Sequence, residues 1–590
     1  MRDNPIVEFL ASYGPNPAAN NMYDEFVTQA EKQTQCAPLA FSQPLVDKMI
    51  KSLRQNPKTI ILTGTAGDGK TYTARKFVEE ITGQAPRWKN TQRIYELKHW
   101  SLPYGGVKII KDLSEFKESQ KNEIFPKIRD ALNGNSSEIF IICVNDGHLL
   151  KFFRDQKENE IKDKLSIMLQ RDEEEHPELD TYMFNLSRRS HAESFHEIVD
   201  GVVNHDSWQN CAGCAYMDNQ SNPCPIRYNR KILQQKGSDS MRQRLIDLVR
   251  MAAADERHLS IRHLVMLTVN ILLGDSHSGD GLLTCRKARI RARDNHYEYT
   301  NPYANVFGEN LKESDRKQYG VFSVLGEFQV GYETNNYFDH ALLDENNDKN
   351  LPQCEIYSGR IFSNIRSSYQ ANRSQYSGKF KKSLINQRRR LFFSLDPNDK
   401  RAIENPQRNP WNLSLYKHGY CYTAILDALH NDLKIDNHHR QQLLLGLNRM
   451  MTGMLTDTSN RLWITEPNGV FQGRSQPILA SLVGTGANFT MKLEKQNSTD
   501  TGKPPLFKIY EKSSNKECIT LALRPTILEC LYRVAEGALP ASFSMECKRE
   551  VEDIRIRATT INRSSPKMIS MERGDLRESL IEILSGEEEW

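Results

Sequence analysis

Residues 59–77 read TIILTGTAGDGKTYTARKF. The stretch opens on the apolar run Thr59–Leu62, turns through three glycines and closes on residues that suit a helix. Gly64, Thr65, Ala66, Gly67, Asp68, Gly69, Lys70 and Thr71 fill the pattern G-x-x-x-x-G-K-[ST] completely. The chemistry asks for each residue type. Glycine accepts the positive φ that turns backbone N–H groups inward, where they hold phosphate oxygens. The helix predicted from about Thr71 to Glu80 brings its positive N-terminal end to the same place. Lys70 is the residue to reach the β- and γ-phosphates. The Thr71 hydroxyl is a ligand for Mg²⁺, and Tyr72 follows it in the first turn. The stretch predicts a site for ATP with Mg²⁺.

Such a loop needs an acid at the end of a neighbouring strand. Two segments compete for the role: VKIIKDLSEF (107–116), which runs into Asp112 and Glu115, and EIFIICVNDGHLL (138–150), which runs into Asn145 and Asp146. In a parallel P-loop sheet of AAA+ type, the Mg²⁺ acid sits on one strand and a polar sensor at the tip of the next. That order assigns Asp112 to Mg²⁺ and Asn145 to the γ-phosphate or the attacking water. Asp146 or Glu115 then polarises the water. The usual pattern places a Glu directly after the Mg²⁺ acid, and Leu113 stands there instead, so the base stays open. The rival assignment makes Asp146 the Mg²⁺ acid and 107–112 an ordinary strand. TYMFNLSRRS (181–190) reads as a further strand ending in Arg188 and Arg189. In oligomeric P-loop ATPases an arginine near this place reaches the neighbouring subunit's γ-phosphate, which would make the chain a homo-oligomer. A solvated basic turn is the other reading.

WQNCAGCAYMDNQSNPCPIRYN (208–229) supplies Cys211, Cys214 and Cys224. The C-x-x-C spacing lets two thiolates meet one tetrahedral ion, and a structural Zn²⁺ is expected on these three with Cys285 or His205 as the fourth ligand. Reduced cysteines packed in a loop are the alternative. DSMRQRLIDLVRMAAADERHLSIRHLVMLTVNILLG (239–274) reads as two helices of a lid. Ser260 is the N-cap of the second, and Arg262 is a candidate to return to the nucleotide or a first-turn surface arginine.

Lys+Arg 79 against Asp+Glu 75 leave a net charge of +4, too small a bias to imply a nucleic-acid partner by itself. Local patches must carry any such contact. RKARIRAR (286–293) and KFKKSLINQRRR (379–390), interleaved with aromatics as in NHYEYTNPYANVF (295–307), either track a phosphate backbone of double-stranded DNA or form solvated faces. No apolar stretch approaches the roughly 18–20 residues of a membrane span, and MRDNPIVEFLASYG lacks the pattern of a signal peptide. Eleven cysteines, mostly isolated, suit a reducing cytoplasm better than a disulfide framework.

The loop at 64–71 coincides with IIKDLSEF, ICVNDGHL, FNLSRRS, the CAGC…CPIRYN loop, LSIRHLVMLTVNILLG, QRRRLFFSLDP (387–397) and LLLGLNRMMTGML (443–455). Together these resemble the DptF-type ATPases of DNA-phosphorothioation-dependent restriction and related bacterial anti-phage systems, from about residue 40 onward. The resemblance implies a defence ATPase that works with partner proteins on DNA or on an effector. The expected organisation is an N-terminal helical extension (1–40), an α/β P-loop ATPase core of AAA+-like type (41–200), a Cys-rich insertion with helical lid (201–290), a mixed basic and aromatic region (291–420) and a C-terminal α+β domain (421–590). Within the last, 420–456 reads as helical, 460–525 as short strands and the segment from Pro525 as helical again, with GEEEW a frayed acidic tail. No second phosphate loop, nuclease triad, Ser-His-Asp signature or internal repeat accompanies these. Two other functions fit the same residues: an assembly switch loaded with nucleotide and turning over slowly, and a DNA translocase unrelated to defence.

Overall fold

The computed structural model describes residues 3–15, 24–39, 41, 44–86, 88, 92–188, 190–217, 219–279, 281–343, 351, 356–358, 360–465, 475–482, 488–496, 502–539, 545–559, 567–572 and 575–580. Arg189 and the acidic tail 586–590 lie outside these. The chain divides into two compact units: residues 1–249, 258–327 and 340–395 in the first, and 250–257, 328–339 and 396–590 in the second.

The first unit is α/β. Its sheet has six strands: β1 (Thr59–Thr63), β2 (Ile94–Lys98), β3 (Gly106–Ile110), β4 (Phe140–Cys143), β5 (Glu175–His176) and β6 (Leu179–Asn185), in the order β2-β3-β4-β1-β6-β5. The four central strands are parallel, with Ile60 beside Ile141, Thr63 beside Asn185 and Ile109 beside Ile141. The sheet departs from the all-parallel expectation at both edges, where β2 pairs antiparallel with β3 and β5 with β6. At the β2 edge the connection is short. The turn HWSLPYGG carries a proline and two glycines, Gly105 at φ +76, and it folds β2 straight back onto β3 with no crossover helix.

Every residue of β1 and β4 is buried, as strands covered on both faces must be. Alternate side chains go to opposite layers. Ile61, Ile110 and Ile142 pack with Phe125, Phe152, Phe153 and Leu165. Ile60, Leu62, Ile109 and Ile141 pack with Met49, Phe77 and Val78. Because the central strands are parallel, the residues after β1, β3, β4 and β6 all emerge at one end of the sheet.

The basic run 379–390 is not one face. It lies in the helix Arg373–Ser394, where Lys379, Lys381 and Lys382 are exposed but Arg388, Arg389 and Arg390 are buried. Arg389 pairs with Glu309 at 2.5 Å and lies over the Phe307 ring, and Arg390 donates to Gln387 at 2.8 Å. In 286–293, Arg289 pairs with Asp3, Arg291 with the fully buried Asp275 and Arg293 with Asp294. Buried guanidinium groups are tolerated only when paired, which accounts for the placement of Arg389 and Arg390, whereas Arg293 remains exposed.

The second unit holds the helices Gly419–His430, Asn437–Thr452, Pro525–Ala535 and Met545–Thr559. With them go a three-stranded antiparallel sheet of β9 (Phe489–Glu494), β10 (Leu506–Glu511) and β11 (Glu517–Ala522), and a four-stranded one of β7 (Leu462–Thr465), β8 (Ser475–Leu482), β12 (Lys567–Glu572) and β13 (Asp575–Leu580). The strand pair β12–β13 follows the last helix, where the sequence signalled no strands. Gly446 faces the Leu531 carbonyl so closely that a Cβ there would overlap it. Cys530 and Cys547 are placed as a disulfide pair.

His418 is buried in this unit. Its ring meets Glu536 at 2.9 Å and Glu529 at 3.3 Å, while the Lys417 and His418 amides also donate to Glu529. Burial alone would lower the pKa of His418, but its hydrogen bonds to the Glu529 and Glu536 carboxylates push it up to about 9. A raised folded pKa gives stability that is complete below the unfolded value and is lost as pH rises through about 9. Denaturant melts at pH 6.5 and 9.5 are expected to show wild type losing on the order of 3 kcal/mol more than His418→Gln over that interval. An equal loss in both would refute the assignment.

Candidate functional site

The strand ends bring the sequence candidates together. β1 leads into the loop, β4 into Asn145 and Asp146, and β3 into Asp112. Since β4 lies between β1 and β3, Asn145 stands between the loop and the Asp112 segment.

The loop turns on Gly64, Gly67 and Gly69, at φ +135, +92 and +87, conformations that cost a residue with a Cβ. The helix Lys70–Thr82 begins on Gly69 with no side-chain cap, so no cap competes for the amides of its first turn. Lys70 Nζ donates to the carbonyls of Gly64 (3.1 Å) and Thr65 (2.7 Å) and to Asn145 Oδ1 (2.7 Å). Burial lowers its pKa, while Asp68, Cys143, Asp112 and Asp146 act the other way. The Thr71 hydroxyl donates to the Lys111 carbonyl at 3.3 Å, immediately before Asp112. A threonine hydroxyl and an aspartate carboxylate are both oxygen donors, the type that Mg²⁺ takes. Tyr72 is turned away, its hydroxyl on the Leu39 carbonyl at 3.4 Å.

The other carboxylates are engaged. Asp112 Oδ1 accepts from the Ser114 amide and hydroxyl at 2.8 and 2.6 Å and caps the turn Leu113–Glu115. Glu115 is half exposed and paired with Arg93. Asp146 accepts from the Gly64 amide at 2.9 Å and from the Thr63 hydroxyl, which makes it an anchor for the start of the loop. Arg188 stands 3.9 Å from Asp172 within the same chain. The Arg262 amide donates to the Gly67 carbonyl at 3.2 Å, and Ser260 caps the helix Ile261–Leu273 as its sequence indicates.

Three residues absent from the sequence reading complete the site: Ser187, just beyond β6, and the histidines His191 and His258. Ser187 Oγ donates to Asp68 Oδ2 at 2.6 Å, His258 Nε2 lies 2.8 Å from Asp68 Oδ1, and His191 Nε2 lies 3.3 Å from His258 Nδ1. The one local signal was the proximity of His258 to the Ser260 cap.

The cysteines form a neighbourhood rather than a shell. Asn4 donates from its backbone to Cys285 Sγ at 3.3 Å and from its side chain to Cys211 Sγ at 3.1 Å. The amide of Cys214 closes a turn on the Cys211 carbonyl, and Cys224 precedes the helix Pro225–Gln234. His205 spends its ring on the Ala37 carbonyl and the Ser207 amide. Among the described residues no three His, Cys, Asp or Glu side chains are grouped so as to hold a metal ion, so the thiols as placed do not fit the expected Zn²⁺. Also among the described residues, no helix is long and apolar enough to cross a membrane.

No family model matches the chain, no curated protein does, and no solved structure does.

Two outcomes follow from these placements. Asp146→Ala is expected to speed hydrogen exchange of the Gly64 amide by roughly tenfold or more, with the core of β1 still protected; unchanged exchange at Gly64 would remove the anchor. Burial pushes the Cys224 thiol up to about 11 and also raises that of Cys285. Both are expected to alkylate several-fold more slowly at pH 8 than a surface thiol, with or without chelator. Protection of all four thiols that a chelator lifts would show instead that they close on a metal.

Proposed function

We propose that the chain is an ATPase with a P-loop core of AAA+-like arrangement. The observation that carries this is Lys70, held in a glycine-shaped loop at the start of an uncapped helix and bonded to Asn145 on the adjacent strand end. Thr71 and Asp112 are the residues to hold Mg²⁺, which when bound supplies charge neutralisation at the phosphates. The loop amides and the first turn of the helix bind and orient the phosphates. Lys70 exchanges its carbonyl partners for phosphate oxygens, and Asn145 moves with it to the γ-phosphate or the attacking water. The role in anti-phage defence, with partner proteins on DNA or an effector, rests on the sequence resemblance to the DptF-type ATPases. A homo-oligomer completed by Arg188 or Arg189 rests on their position after β6.

A specific observation favours the slow switch as a second reading. Asp112, Glu115 and Asp146 all have partners within the chain, so an acid must leave one of them before it polarises water.

The test is steady-state ATP hydrolysis by the full chain, with and without double-stranded DNA. Lys70→Ala is expected to lower turnover by roughly a hundredfold or more. A rate that rises with DNA supports a DNA-handling motor. A Lys70-dependent rate that stays near zero with DNA supports the switch. Turnover equal in wild type and Lys70→Ala would sink the ATPase reading.

A further inference from the structure

Asp68 lies inside the loop and is 2% exposed. Its carboxylate points away from solvent. Oδ2 accepts from the Thr65 amide at 2.7 Å, the Thr65 hydroxyl at 3.0 Å and the Ser187 hydroxyl at 2.6 Å. Oδ1 meets His258 Nε2 at 2.8 Å, and the same nitrogen lies 2.8 Å from the Thr65 hydroxyl. A main-chain amide, two hydroxyls and an imidazole are the donors that a phosphate oxygen would use. Burial favours the neutral acid, but the bonds from His258, Ser187 and Thr65 outweigh it and hold the pKa of Asp68 below the usual carboxylate range. The group is an anion bound by the loop that contains it.

We propose that the Asp68 carboxylate holds the place of a nucleotide phosphate, and that ATP takes over the Thr65 amide, the Ser187 hydroxyl and the His258 imidazole from it. This rests on the nucleotide reading above. Like charges repel at contact, so the carboxylate must leave as the polyphosphate enters. Gly67 and Gly69 flank Asp68 in positive φ, and their lack of side chains lets the intervening peptides swing. His258 thereby becomes a phosphate-contacting residue, carried by the segment before the helix Ile261–Leu273. The internal anion reduces apparent nucleotide affinity by the fraction of loops it occupies.

The probe is the Mg²⁺ complex of a non-hydrolysable ATP analogue, titrated calorimetrically into the full chain. Asp68→Asn is expected to bind it at least about fivefold more tightly than wild type. Asp68→Ser serves if Asp68→Asn does not fold, as judged by its melting temperature. The gain should shrink below about twofold when Asp68→Asn is made in a His258→Gln background, because the internal bond is already broken there. A second measurement needs no variant: analogue binding should change hydrogen exchange across residues 256–262 of the wild type. Unchanged or weaker binding by a folded Asp68 variant, or unchanged exchange in 256–262 at saturation, overturns the proposal while leaving the nucleotide site standing. Wild type that binds the analogue no better than Lys70→Ala overturns the nucleotide reading itself, and this inference with it.

Discussion

A lysine ammonium drawn out of water must be surrounded by oxygen, and around Lys70 that requirement organises the end of the sheet. Two loop carbonyls and the Asn145 amide oxygen supply it, so the loop must curl back over its own lysine and β4 must end beside β1. Asp146, next in the chain after Asn145, then reaches the Gly64 amide and pins the start of the curl. The same few ångströms thus contain a cation, its acceptors and the carboxylate that fixes their backbone. Shifting β4 by one residue would swap Asn145 for a neighbour facing the opposite layer and leave the ammonium short of a partner.

Much of this was legible in residues 59–77 and 138–150. The loop pattern specifies its own glycines, and an apolar run ending in Asn-Asp marks a strand tip. The fixing contacts were not legible, because they join distant parts of the chain. Ser187 lies 119 residues from Asp68, and His258 lies 190 away. The Ser260 cap in LSIRH marks a helix start beside His258, but not which distant loop the histidine meets. The antiparallel edges were missed for a different reason: a proline and two glycines in HWSLPYGG specify a turn, but whether a turn makes a hairpin depends on what the next strand pairs with. Asp112 was read as the Mg²⁺ acid, and Asp146 or Glu115 as the group that polarises water, from their positions at or near strand ends. Their hydrogen bonds within the chain are a property of three-dimensional packing that spacing does not encode.

The basic runs show where composition misleads. An arginine contributes the same charge to a sequence count whether it faces DNA or Glu309. Its long apolar stem lets the helix Arg373–Ser394 turn its last charged residues inward, over rings such as Phe307. His418 follows the same rule in the second unit, where two glutamates make an interior histidine a cation. The net charge of the sequence does not reveal that some of its arginines and one histidine are matched inside.

The bond from the Arg262 amide to the Gly67 carbonyl has a mechanical consequence. It ties a peptide of the loop to the first turn of a thirteen-residue helix, which at 1.5 Å per residue is a rod about 20 Å long. The far end of that rod is gripped by the buried amide of Asn270, bonded to the Asn305 carbonyl and to Asn310. Asn270 stands eight residues along the helix from Arg262, about 12 Å, so a tilt of about 5° at the loop displaces that grip by about 1 Å. A rearrangement of the loop peptide that tilts the helix is therefore felt in the Asn270, Asn305 and Asn310 bonds, well away from the loop itself.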